Sequence, residues 1–110
     1  MTIDRVQVED KAVLRVAGRM DVESASSLEQ ACDACIADGL TKLVLDLTEL
    51  IYISSMGLRS VVSVAKKLKD KSGNLRICQA GGLVRQVFEI TRVNQVIPMH
   101  DSLESALMEG

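Results

Sequence analysis

Residues 42–60, KLVLDLTELIYISSMGLRS, change from strand-like to helix-like spacing of their apolar side chains. The first part, residues 42–47, is nearly continuous in apolar residues, which predicts a strand covered on both faces. A turn at Thr48-Glu49 and a short apolar run at 50–53 precede the pair Ser54-Ser55, after which the spacing becomes helical. We therefore predict a strand-to-helix junction at these serines. Free backbone N–H groups there can hold an anion, or a phosphate added to a serine.

The composition favours one small domain with an aliphatic core. A chain of 110 residues is close to the commonest domain size, and we predict a single domain over residues 1–110. Hydrophobic residues make up 47% of the chain but aromatic residues only 2%. The formal net charge is −2, with both signs spread along the sequence. Because nucleic-acid binding needs a basic stripe with stacking aromatics, we expect no nucleic-acid partner.

Three cysteines raise the question of thiol or metal chemistry. Cys32 and Cys35 have C-x-x-C spacing, but they lie within a predicted helix rather than at its start. With His100 as the only histidine, a four-ligand zinc site lacks its second pair. Packing in the core is favoured for these cysteines. The alternative, a small thiol enzyme, predicts a thiol pKa well below neutral pH.

The cysteine count also bears on the compartment. With Cys78 the chain has three cysteines, an odd number that cannot all pair in disulfides within one chain. No signal peptide is apparent either, and together these features predict a cytoplasmic location. No apolar run approaches the roughly 18 residues of a membrane span, so we expect none.

The first part of the chain predicts two strands, a loop and a helix. In that order they fall at residues 1–9, 12–17, 18–21 and 24–38. The polar pair Asp10-Lys11 predicts a hairpin turn. Ser24 or Ser26 is suited to cap the helix, and Ser26 with Glu29 matches a capping box.

After the serine junction, helices and strands alternate. The second helix has one apolar face, formed by Leu58, Val61, Val62, Ala65 and Leu68. A strand at 75–78, a helix at 83–91, a strand at 93–98 and a helix at 103–108 follow, the last capped by Asp101-Ser102. This order predicts an α/β fold in which helices pack on a mixed or mostly parallel sheet.

Four lysines crowd the C-terminal part of the second helix: Lys66, Lys67, Lys69 and Lys71. Such charges interact favourably with the helix dipole. The interpretation favoured here is a solvated, solubilising face.

Known catalytic motifs are missing from the sequence. It contains no P-loop, G-x-G-x-x-G, H-E-x-x-H or G-x-S-x-G pattern. Gly81-Gly82 could bind phosphate at a helix start, but helix entry is the simpler explanation. We therefore expect a protein that is not an enzyme and has no cofactor and no metal.

The serine junction resembles that of a STAS domain of the anti-sigma factor antagonist family. That family has a buried strand ending in Asp, here LVLDL at 43–47, followed by an Asp/Ser-Ser-x-Gly-Leu helix start, here YISSMGLR at 52–59. It also has a Gly-x-x-Asp loop, matched by Gly18 and Asp21. The resemblance extends over nearly the whole chain and implies a STAS-like fold.

The resemblance implies a phosphorylation switch. The serine before the x-Gly pair is the family's phosphoacceptor, which by position is Ser55, with Ser54 as the less favoured alternative. The implied partners are an anti-sigma factor serine kinase with an ATP-binding, histidine-kinase-like fold and a PP2C-type phosphatase. The residues implied to bind the partner are Gly18, Asp21, Ser54, Met56, Gly57 and Leu58.

A different function remains open on the same fold. The chain could be a constitutive scaffold, such as the small subunit of a lipid-transport ABC complex. In that case the serines are only helix caps, and a helix face docks on an ATPase or a permease.

Overall fold

The computed structural model describes residues 1–108, so the last two residues of the predicted 1–110 domain lie outside the described part. Within it, the strands are β1 (Thr2–Val8), β2 (Lys11–Met20), β3 (Lys42–Asp46), β4 (Leu50–Ile53), β5 (Asn74–Cys78) and β6 (Met99–His100). The helices are α1 (Ala25–Ala37), α2 (Ser55–Asp70), α3 (Gly82–Ile90) and α4 (Leu103–Met108), with a 3₁₀ turn at Val93–Gln95.

One mixed sheet connects all six described strands. Its order is β1-β2-β3-β5-β6, with β4 paired to β2 off this path. The β1–β2 hairpin is antiparallel, and every other pairing is parallel. The predicted α/β fold with a mixed sheet is confirmed.

Both faces of the central strand β3 are covered, as its continuous apolar pattern predicts. Leu43 and Leu45 face the larger core, which α1, α2 and α3 close through residues such as Leu28, Val61 and Phe88. Val44 faces a smaller cluster under α4. Side chains alternate between the two faces because the strand period is two.

The cysteines are core residues. Cys32, Cys35 and Cys78 are all fully buried. Burial raises the pKa of the Cys32 thiol to about 11 and that of the Cys78 thiol to about 11 as well. This shift is opposite to the one that the thiol-enzyme alternative predicts. Nowhere in residues 1–108 do three or more His, Cys, Asp or Glu side chains group to hold a metal ion.

The strand β2 is longer than predicted. Gly18, Arg19 and Met20 were expected in a loop, but they continue the strand because β4 pairs with them in parallel. The pairing register shifts between Gly18 and Arg19, and Gly18 has φ +96°, a conformation that glycine adopts readily. Of the predicted loop, Asp21 alone lies beyond the strand.

The strand predicted at residues 93–98 is wrong. Arg92 takes a left-handed φ of +62°, and the Ile97 N–H then donates to the Val93 carbonyl at 2.9 Å. Val93 and Ile97 are buried four residues apart, whereas Val96 is 75% exposed, which is helical rather than strand spacing. The last strand begins only at Met99.

The predicted capping box at the start of α1 does not form. Glu29 instead reaches α2, where its carboxylate accepts hydrogen bonds from Ser63 Oγ at 3.0 Å and Ser60 Oγ at 3.2 Å. The cap of α4 is confirmed, since the Ser105 N–H donates to Ser102 Oγ at 3.1 Å. Across residues 1–108, no helix combines the length and the apolar composition needed to cross a bilayer.

Candidate functional site

The candidate site lies where two parallel strands end together and α2 begins. Met20, at the end of β2, is in register with Ile53, at the end of β4. The next residue, Ser54, donates its backbone N–H to the Met20 carbonyl at 2.8 Å. Because this bond anchors the start of α2 to β2, the helix N-terminus has a defined position. We call this region the junction.

Ser54 is the N-cap of α2. Its backbone is extended, with φ −84° and ψ 170°, and its Oγ accepts a hydrogen bond from the Gly57 N–H at 3.0 Å. This geometry satisfies one of the N–H groups that a helix start leaves without a partner. The half-buried Ser54 hydroxyl therefore already has a structural role.

Ser55 is the first residue of α2, and its side chain is exposed. Its hydroxyl makes no hydrogen bond to any other group of residues 1–108. Two adjacent serines thus differ in kind: Ser54 holds the helix start, whereas Ser55 presents a hydroxyl to solvent at the positive end of the helix dipole.

Gly57 allows α2 to approach the strand ends closely. A Cβ atom at this position would lie 2.9 Å from Met20 Cγ, 3.0 Å from the Met20 carbonyl oxygen and 3.0 Å from Ile53 Cγ1. All three distances are shorter than ordinary contacts between non-bonded heavy atoms. Glycine therefore fits this close approach, and a Cβ atom would force its neighbours to shift.

Asp21 organises the chain between β2 and α1. Its carboxylate accepts hydrogen bonds from the Ser24 backbone N–H at 3.0 Å and from Ser24 Oγ at 2.9 Å. The Asp21 N–H donates in return to Ser24 Oγ at 3.0 Å. The backbone hydrogen bond from Ser24 is the main reason that the pKa of the Asp21 carboxyl is lowered. Asp21 thus shapes the turn beside the junction.

Comparison with known proteins identifies the family. The sequence model of the STAS domain family matches residues 2–106 of this chain. The chain belongs to the STAS domain family. The resemblance seen in the sequence and the predicted STAS-like fold are thereby confirmed.

The relatives of this STAS domain include named regulators. A candidate anti-sigma factor antagonist of Bordetella bronchiseptica, BtrV, is 36% identical over 96% of this chain and 90% of that protein. The anti-sigma-F factor antagonist RsfB of Mycobacterium tuberculosis is 27% identical over 87% of this chain and 78% of its own. A crystal structure of an anti-sigma factor antagonist from Mycobacterium paratuberculosis matches with a TM-score of 0.87 and 28% identity, covering 97% of this chain and 91% of that one.

Asp46, the acidic residue that ends the buried strand of this STAS domain, makes a local turn. Its side chain is buried, and Oδ1 accepts hydrogen bonds from the Thr48 N–H at 3.1 Å and from Thr48 Oγ1 at 2.6 Å. An aspartate that bonds to the backbone two residues later favours a turn. Asp46 therefore directs the chain from β3 into β4, which ends at the junction.

The structure places the predicted partner-binding residues at the junction or within a few residues of it. Ser54, Met56 and Gly57 are at the junction, and Leu58 follows but is partly buried against the core. Gly18 pairs with Leu50 at the opposite end of β4. Along β2, however, Gly18 is only two residues before Met20, which at about 3.3 Å per residue is about 7 Å from the junction.

Exposed apolar side chains near the junction were not all recognised from the sequence. Met56 is 43% exposed, while Val22, two residues past Met20, is 65% exposed. Ile51 on β4 is also 65% exposed. Isolated exposed apolar residues are common, but a protein-binding surface uses such groups. The missed signal was an apolar residue between Asp21 and Glu23 in an otherwise polar turn.

A cation–π contact adjoins the same surface. The guanidinium of Arg19 lies 4.2 Å from the ring centre of Tyr52, its register partner on β4. Arg19 is exposed, and such contacts hold the cation in place with a modest gain of about 0.5–1 kcal/mol. The contact holds the positive charge of Arg19, on β2, over Tyr52, which lies two residues before Ser54 on β4.

Proposed function

We propose that this STAS domain is an anti-sigma factor antagonist that is switched off by phosphorylation of Ser55. In its unphosphorylated form it binds an anti-sigma factor serine kinase of the histidine-kinase-like fold in the cytoplasm, and thereby controls transcription. The observation that carries the proposal is the exposed, unbonded Ser55 hydroxyl beside Ser54, whose hydroxyl is already used as a cap. The names of the relatives support the general role.

The contrast between the two serines favours Ser55 as the acceptor. Phosphorylation of Ser54 would displace its Oγ from the Gly57 N–H and disturb the start of α2. A phosphate on Ser55 adds about −1.5 to −2 charges at a helix N-terminus, where the helix dipole favours negative charge. Arg59 follows one turn later, is exposed, and lies at the i+4 spacing that allows side chains to interact. The domain is therefore expected to stay folded when Ser55 is phosphorylated.

The switch would act on the interface instead. A partner packed on Met56 and Val22 would have to bury the new phosphate beside apolar side chains. Leaving a buried charge without a partner costs about 3–5 kcal/mol, and each 1.4 kcal/mol changes affinity tenfold. Phosphorylation would thus lower affinity by at least two orders of magnitude. We propose that a PP2C-type phosphatase removes the phosphate and resets the switch.

The direct test is binding to the ATP-binding anti-sigma kinase encoded in the same genome. Calorimetry compares the wild type with Ser55→Asp and Ser55→Ala, and with Ser72→Asp as a control. Ser72 is exposed beyond the end of α2, so this variant adds the same charge away from the junction. We expect Ser55→Asp to weaken binding at least tenfold, whereas Ser55→Ala and Ser72→Asp bind like the wild type.

Mass spectrometry after incubation with the kinase and ATP locates the phosphate. We expect one phosphate in the wild type and in Ser54→Ala, and none in Ser55→Ala. A phosphate that is still present in Ser55→Ala would show that another residue is the phosphorylation site. If no variant carries a phosphate and Ser55→Asp does not change the affinity for the kinase, a constitutive scaffold is supported instead.

A further inference from the structure

The structure divides the lysine run of α2 into two groups. Lys67 faces α1, with its Nζ 3.3 Å from Asp33 Oδ1 and 3.5 Å from Glu29 Oε1. Lys66 and Lys69 instead line a groove on another side of α2. Neither of these two makes an ion pair with any group in residues 1–108. Lys66, Lys69 and Lys71 are exposed, as the solvated face favoured from the sequence requires, and Lys67 is the exception that pairs with α1.

The groove lies between α2 and the segment that leads to β6, and its volume is about 470 Å³. One wall is a stripe along α2 that includes Val62 and Ala65, and Leu75 of β5 adds to the lining. The other wall contains Val96 and Pro98, and Val96 is 75% exposed. Apart from the two lysines and Asn74, the lining side chains are apolar, and no acidic residue is among them.

This combination suits one ligand chemistry. The volume falls in the range of about 300–1,000 Å³ that is typical of small-molecule sites. Apolar walls favour a hydrocarbon chain, because burying it removes apolar surface from water. Two cations without an anion in the lining leave a positive charge for the ligand to neutralise. We propose that the groove binds a free single-chain anionic amphiphile, a long-chain carboxylate, whose head group contacts Lys66 and Lys69.

The two lysines are well spaced for a shared head group. They are three residues apart on α2, a spacing at which helix side chains are neighbours. Their long aliphatic stems can also cover the start of the hydrocarbon chain while the ammonium groups meet the carboxylate. The remaining chain would lie along Val62 and Ala65 and against Val96.

The groove is separate from the junction. Along α2, Val62 and Lys69 lie seven and fourteen residues after Ser55, which is about 10 Å and 21 Å at 1.5 Å per residue. The carboxylate site therefore does not depend on the proposed phosphorylation switch, and each can fail without the other.

Titration of the ¹⁵N-labelled chain with monomeric decanoate and dodecanoate, followed by NMR amide shifts, tests the proposal. We expect saturable shifts at Val62, Ala65, Leu75 and Val96, with tighter binding of the longer chain. Dodecanol, which lacks the charge, should bind several-fold more weakly than dodecanoate. Equal affinity for dodecanol, or shifts confined to other parts of the chain, would overturn the proposal.

Variants separate the contribution of the head group from that of the chain. Replacing both groove lysines (Lys66→Gln with Lys69→Gln) should weaken dodecanoate binding about five- to tenfold, in line with two exposed charge contacts. Lys71→Gln is the matched control, since Lys71 is an exposed lysine of the same run that does not line the groove. An equal loss in the control would show a nonspecific charge effect and overturn the assignment.

Ala65→Leu fills the groove from the α2 side and should reduce binding of decanoate and dodecanoate, with circular dichroism confirming an intact fold. Vesicles of anionic phospholipid test the membrane as the source of the ligand chemistry. Binding to vesicles without binding to monomeric dodecanoate would overturn the proposal in favour of a membrane contact.

Discussion

Alanine substitution of the two adjacent serines should give opposite results for stability and phosphorylation. In Ser54→Ala, the Gly57 N–H loses the oxygen that accepts its hydrogen bond at 3.0 Å, at the point where α2 is anchored to β2. In Ser55→Ala, the lost hydroxyl has no hydrogen bond within residues 1–108. The pair is matched because both changes remove one oxygen atom, one residue apart.

The expected magnitudes differ clearly. Removing an N-cap serine costs about 1 kcal/mol, within a range of about 0.5–2. An unfolding entropy of about 2.1 cal/mol/K per residue converts 1 kcal/mol into a fall in Tm of about 4 °C for 110 residues. Ser55→Ala should change stability by less than about 0.5 kcal/mol, and alanine is the better helix former.

Urea unfolding followed by far-UV circular dichroism measures the difference. With an m value of about 2 kcal/mol/M, a loss of 1 kcal/mol lowers the midpoint by about 0.5 M. Ser54→Ala should show this shift and still accept phosphate, whereas Ser55→Ala should keep the wild-type midpoint and accept none. Equal loss of stability in the two variants would refute the assignment of Ser54 as the structural serine.

Three further predictions follow from the same geometry. Gly57→Ala should destabilise the fold by about 1–2 kcal/mol in urea unfolding, because overpacking against the Met20 carbonyl outweighs the gain in helix propensity; a stabilised variant would contradict this. Cys32, whose pKa burial raises to about 11, should not react with a thiol reagent at pH 8 until the protein is denatured. Asp21 has a lowered pKa, so its hydrogen bonds to Ser24 stabilise the fold above the ordinary aspartate pKa near 4, and that contribution is lost as the pH falls through the lower folded-state pKa. The stability gap between wild type and Asp21→Asn should therefore shrink in urea unfolding at pH 3 compared with pH 7.

Much of the fold was predictable because it depends on short-range pattern. The continuous apolar run of β3 indicated a strand buried on both faces, and Leu43 and Val44 do face different cores. The serine pair marked the start of α2. These features depend on residues within a few positions of one another, where backbone preference and side-chain spacing act directly.

The misplaced strand shows where composition misleads. Residues 93–98 are rich in β-branched side chains, which favour strands. The left-handed Arg92 turns the chain after α3, and Val93 and Ile97 then both reach the core from a helical turn. Burying Val93 and Ile97, which are four residues apart, therefore outweighed the local preference of this segment for a strand.

The sequence by itself determined most of the order of strands and helices up to α3, the aliphatic core and the position of the serine junction, because spacing and capping are local. Only the tertiary structure decided that β4 pairs with β2 and extends it to Met20, with a shift of register after Gly18. It also decided which lysines face α1 and which line the groove. These outcomes depend on contacts between residues about 30 positions apart, and no local pattern specifies which partner a strand end or a helix face will meet.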